Sequence, residues 1–90
     1  MIEQLITEIE KAYSVRIAQA EASRGDYIMI EDIRDMIDAP RAELDAALNE
    51  IANRRIGELT PESNQKVLTE GQRAAAVTRG NQAKHLLAIY

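Results

Sequence analysis

Ninety residues carrying a net charge of −4 and no cysteine describe one small domain, residues 1–90, that must hold itself together by packing alone. The absent cysteines exclude disulfides, thiolate zinc sites and cysteine nucleophiles. No apolar run approaches the roughly 20 residues that a bilayer span needs, and Met1-Ile2-Glu3-Gln4 does not open a signal peptide, so a cytoplasmic protein is expected.

Charge is unevenly placed. The first 50 residues hold twelve acidic and five basic side chains, a balance of −7, and the remaining 40 hold three acidic and six basic, a balance of +3. Such asymmetry predicts a polarised surface.

In the first segment Ile2, Ile6, Ile9, Tyr13, Ile17 and Ala20 recur every three or four residues, which predicts a helix over 2–23 stopped at Arg24-Gly25. Leu5, Ala12 and Val15 form a second, weaker apolar strip on it. Tyr27-Ile28-Met29 reads as a short strand. Ile30, Ile33 and Ile37, with Glu31 and Asp32 in the first turn, predict a helix over 30–37. Asp38-Ala39-Pro40 breaks the chain, and a third helix over 40–54 follows, with Leu44, Ala47, Leu48 and Ile51 on its core face.

The period then changes from 3.6 to 2. Residues 56–60 read as a strand closed by Pro61, and 62–66 as polar loop. Thr69-Glu70-Gly71-Gln72 fits a capping box and predicts a short helix over 70–77. Gly80-Asn81 is turn chemistry, and 85–90 reads as a strand pairing antiparallel with 56–60. The expected core is Ile6, Ile9, Tyr13, Ile33, Ile37, Leu44, Leu48, Ile51, Leu87 and Ile89.

No catalytic constellation is legible, so no enzyme is expected. The chain has no glycine-rich phosphate loop. A single histidine, His85, builds no two-histidine metal site and has no nucleophile beside it in sequence; it opens the last strand and is expected on the surface or in the hairpin before it. The many carboxylates fall on solvent faces of amphipathic helices. No cofactor and no metal site are expected.

Helix, short strand, helix, tight turn, helix, strand, long hairpin, strand is an order that resembles the winged helix-turn-helix. The residues that carry the likeness are 28–37 as positioning helix and 40–48 as recognition helix, followed by Leu59-Thr60-Pro61-Glu62-Ser63-Asn64-Gln65, Leu68-Thr69, Arg73-Ala74-Ala75-Ala76-Val77 and His85-Leu86-Leu87-Ala88-Ile89. The whole is similar to small bacterial winged-helix-like domains. The resemblance implies an α+β fold, mostly helical, with a small antiparallel sheet and a helix-containing wing. It implies a DNA-binding module of transcription-regulator type.

On that reading the third helix exposes Arg41, Ala42, Asp45, Ala46, Asn49 and Asn53. Arg41 and Asn49 would read base edges, guanine and adenine respectively. Arg54, Arg55, Lys66, Arg79 and Lys84 would hold phosphates of double-stranded DNA. Glu43, Asp45 and Glu50 would each offset about one phosphate contact. The alternative is a winged-helix docking module that binds protein and no DNA, which suits the net acidity. In either case the strip Leu5, Ala12 and Val15 is the expected interface of a homodimer.

Overall fold

Apolar stripes decide where the helices fall. The computed structural model of the chain describes residues 2–90. Helix α1 (Ile2–Gln19) buries Ile6, Ile9 and Tyr13, the side chains that its three-and-four spacing brings to one face. Strand β1 (Ile28–Met29), helix α2 (Ile30–Met36) and helix α3 (Arg41–Asn53) follow, and α3 buries Leu44, Ala47, Leu48 and Ile51. Strand β2 (Gly57–Thr60) leads into a long connection. It holds a 3-10 turn (Gln65–Val67), helix α4 (Glu70–Ala74) and a hairpin of β3 (Val77–Arg79) and β4 (Gln82–Lys84), before β5 (Leu86–Ile89) closes the chain.

The last strand is the centre of the sheet. Its order is β1-β5-β2, antiparallel throughout. Leu87 stands opposite both Ile28 and Leu59, so three apolar side chains meet on one face against the helices. Residues far apart in sequence thereby close one core, and all ten residues expected in it are buried. The result is an α+β architecture with a small antiparallel sheet. No helix of the described residues is long and apolar enough to cross a membrane.

Three expectations are corrected. Helix α1 ends at Gln19, before Arg24-Gly25. Ala20, the last residue of the stripe, is exposed and adds little burial, and the chain turns where Ala22 N–H donates to the Ile17 carbonyl (2.8 Å) with Glu21 at a φ of 55°. Helix α3 closes the same way, through Ile56 N–H on the Ile51 carbonyl (3.0 Å) with Arg55 at a φ of 57°. Both are Schellman closures with a charged residue where glycine is usual. Gly57 serves a different end: a Cβ there would run into the carbonyl oxygen of Ala88 on the neighbouring strand.

The second correction is Val77, expected in the short helix. The capping box forms, with Gln72 N–H on Thr69 Oγ1 at 3.1 Å and Thr69 N–H on Gln72 Oε1 at 3.0 Å. The helix nonetheless stops at Ala74, because Val77 turns into the core as a strand residue. Gly80 and Asn81, at φ values of 61° and 62°, then make the two-residue turn that suits a twisted hairpin.

The third is His85, which is buried, not superficial. Its Nδ1 accepts the Glu62 amide proton at 3.1 Å, so a neutral ring carries its proton on Nε2. Its backbone N–H donates to Thr60 and its carbonyl accepts from Ile30. The imidazole thus pins the start of the long connection to the sheet.

Leu48 is fully buried at the centre of α3. Replacing it by Ala should cost about 2–5 kcal/mol, a large part of a small domain's stability. Urea unfolding of both proteins checks this, and a loss below about 1 kcal/mol would contradict the packing.

Candidate nucleic-acid interface

Helix α3 has three environments. Its core face is apolar. One flank meets the β3–β4 hairpin, and the other turns toward α1. Ala42, Ala46 and Asn53 lie between the flanks and are exposed.

The hairpin flank is held by hydrogen bonds. Arg41 Nη2 donates to the Ala76 carbonyl at 2.9 Å. Asn49 Nδ2 donates to the Thr78 carbonyl at 3.3 Å, and Arg79 Nη1 donates to Asn49 Oδ1 at 3.3 Å. The two residues expected to read bases are therefore half-engaged with the chain's own hairpin. Asn49 is a strut: its donor and acceptor both have partners.

Asp45 lies on the same flank, and its charge is compensated. Arg34 Nη2 donates to Asp45 Oδ1 at 2.5 Å, and Arg41 Nε stands 3.8 Å from Oδ2. Arg34 also donates through Nε to the Ala75 carbonyl at 2.7 Å. With its side chain only 12 % exposed, Arg34 joins α2, α3 and the chain between α4 and β3. No motif marked this residue in the sequence. The one available sign is a lone cation on α2 among Glu31, Asp32 and Asp35.

The expected phosphate contacts separate into groups. Arg55 is exposed, and its side chain forms no hydrogen bond or ion pair among the described residues. It lines one shallow hollow with Arg79, Gly57, Glu58 and Tyr90. Lys84 donates to Gln82 at 2.7 Å on the same hairpin. Arg54, in contrast, belongs to the other flank. It forks onto Glu3 at 2.6 and 2.8 Å and donates to Glu50 at 2.8 Å. Those bonds hold the Glu3 and Glu50 carboxyls below the usual carboxylate range and tighten the guanidinium's hold on its proton. Lys66 sits in the 3-10 turn, where no side-chain bond links it to α3 or the hairpin. Arg73 donates to the Gln65 carbonyl and braces that same turn.

Of the expected dimer strip, Leu5 and Ala12 are covered by the chain's own core, at 8 and 7 % exposure, and Val15 alone is open at 46 %. One valine falls well short of the roughly 800 Å² per partner of a standard interface.

Beside the hollow, Glu58 accepts from the phenols of Tyr27 and Tyr90 and from Thr60 Oγ1. These donors, Tyr27 foremost, lower the Glu58 carboxyl below its ordinary value, while the bond to the carboxylate raises the Tyr90 phenol. No group of three or more His, Asp or Glu able to hold a metal ion occurs among the described residues.

Replacing Arg34 by Ala should cost about 2–4 kcal/mol, since it breaks a largely buried, charge-assisted pair and frees the Ala75 carbonyl. Denaturant unfolding reads this, and a change under about 0.5 kcal/mol would remove Arg34 from its joining role.

The Tyr90 shift fixes a direction in pH. A raised phenol value means that its share of stability is present below about pH 10 and is lost as pH rises through the folded value. Glu58 runs the other way: its share is present above the ordinary glutamate range and is lost as pH falls through the lowered value. Glu58→Gln should bring Tyr90 back toward about 10 in an NMR-detected titration. An unchanged Tyr90 would show that the carboxylate does not set it.

The chain matches no family model, no curated protein and no solved structure.

Proposed function

We propose that the domain binds double-stranded DNA through the seam between α3 and the β3–β4 hairpin, as a winged helix-turn-helix of transcription-regulator type. One observation carries the reading. Arg41, Arg55 and Arg79 line this seam; Asp45 is held by Arg34 and Arg41, and Glu58, which shares the hollow of Arg55 and Arg79, accepts from the hydroxyls of Tyr27, Tyr90 and Thr60. Glu43 and Glu50 stand on the flank toward α1. The acidity of α3 thus does not fall on the surface offered to phosphates.

The order of elements supports the same reading. Two short helices meet across residues 37–40, a strand follows, and the chain returns through a long connection to the middle of the sheet. In such a module α2 positions α3, and the hairpin is the wing. Ala42 keeps the outer surface of α3 low, which favours close approach to a groove. Asn49 is spent on the hairpin, so its contribution is to fix the seam. Affinity then comes mainly from phosphate contacts and little from base reading.

Three phosphate contacts, from Arg41, Arg55 and Arg79, predict a log–log salt slope of about −2.7 on mixed-sequence duplex. Arg55→Ala should flatten that slope by about one unit and weaken all sequences alike. Lys66→Ala, outside the seam, should leave it unchanged. Fluorescence anisotropy across a salt series measures both. Failure of the wild type to bind duplex at low salt, where attraction is least screened, sinks the DNA reading. The protein-docking reading then takes its place.

A further inference from the structure

We infer that the furrow along the α1 flank, away from the hairpin, docks a basic amphipathic helix of a partner protein. Three adjoining hollows make up this furrow. The first lies between α1 and the end of α2, over Val15 and Met36. The second passes Leu5 and Pro40, and the third ends at Ile2 and Ala46. Glu8 is shared by the first two, and Leu5 and Glu43 by the last two, so the hollows lie side by side along α1. From Ile2 to Val15 the floor runs about 20 Å along α1, the length of a helix of about 13 residues.

Its floor and rim differ in chemistry. Val15 and Met36 are open apolar side chains, at 46 and 41 % exposure, close enough to line one hollow. Around them stand Glu8, Asp38 and Glu43, all exposed and none in an ion pair among the described residues, against the single cation Lys11. An apolar floor with a rim of free carboxylates is complementary to a helix with apolar anchors at i, i+3 or i+4, and i+7, flanked by Lys and Arg.

That charge also argues against a second copy as occupant. A two-fold contact sets each patch against itself, and here it would bring acidic rim to acidic rim. An extended peptide is not favoured either, since the furrow follows helices and offers no strand edge to extend. The acidic rim repels DNA, so this surface is separate from the seam at the hairpin.

The test uses a 14-residue model peptide of leucine and lysine in helical pattern, with its leucine–glutamate counterpart, titrated into the isotope-labelled full chain. The lysine peptide should bind saturably. Amide shifts should be confined to the neighbourhoods of Val15, Met36 and Glu43. Met36→Glu should weaken binding about tenfold, and Glu43→Lys should weaken it and reduce its salt dependence. Met36 is open to solvent, so folding is preserved, which an unchanged melting temperature and unchanged duplex binding would verify. Equal binding of the glutamate peptide overturns the inference. So do shifts centred on residues 77–84, or indifference to Met36→Glu. Peptide-free, concentration-dependent shifts at Val15 and Met36 would assign the furrow to a second copy instead.

Discussion

The guanidinium of Arg34 joins three segments that otherwise share little. It leaves α2, takes Asp45 of α3, and holds the Ala75 carbonyl where the chain passes from α4 to β3. A small domain has a thin core, and the long connection of this one buries few apolar residues: Leu68, Ala75 and Val77. Hydrophobic burial alone would leave the hairpin weakly docked. A charge-assisted bond in a largely desolvated site is stronger than its surface equivalent, and arginine's fork serves two acceptors at once. Its remaining nitrogen, Nη1, is buried without a partner, a local cost accepted for the join.

From that join follows the distribution of charge. Once Asp45 is bound to Arg34, Arg41 lies across the outer side of the same carboxylate and reaches Ala76. Asn49 and Arg79 extend the contact one further turn. The hairpin therefore rests on α3 along a line of polar bonds and does not project away from it. Cations collect on this side. On the other side Arg54 is taken up by Glu3 and Glu50, and Glu8, Asp38 and Glu43 beyond it form no ion pair among the described residues. The asymmetry between the two flanks of α3 cuts across the two halves of the sequence: Arg34 and Arg41 come from the acidic first half, and Arg54, on the other flank, from the basic second.

Helices, strands and core were legible because they rest on periodicity. Ile6, Ile9 and Tyr13, or Leu44, Leu48 and Ile51, announce a buried face without any partner being known. The termini were less so: glycine is the expected left-handed residue, yet Glu21 and Arg55 take that conformation, and only the end of the apolar stripe decides where they do. Val77 was misplaced because a capping box announces where a helix begins and says nothing of where it stops. His85 was misjudged because its partner is a backbone amide 23 positions away. For the candidate interface, residue types were legible but their pairings were not. Arg54 and Arg55 are neighbours in sequence, and one is consumed by α1 while the other is free. That difference arises from a helix ending between them, which charge patterning does not contain.

The same pairings govern what recognition the seam can support. An asparagine on a recognition helix reads adenine only when its amide is available, and here both ends of the Asn49 amide are engaged. Releasing it would leave the Thr78 carbonyl and the Arg79 guanidinium to find other partners, so base contact must repay at least those two bonds. Phosphate contact requires no such release, because Arg55 is free and the bonds of Arg79 to Asn49 are long, at 3.3 and 3.4 Å. On the proposed DNA-binding reading, the seam suits phosphate contact better than base reading. On that reading the domain would gain selectivity from whatever holds it near its site. The furrow on the opposite flank of α3 is placed to receive such a partner without obstructing the hairpin.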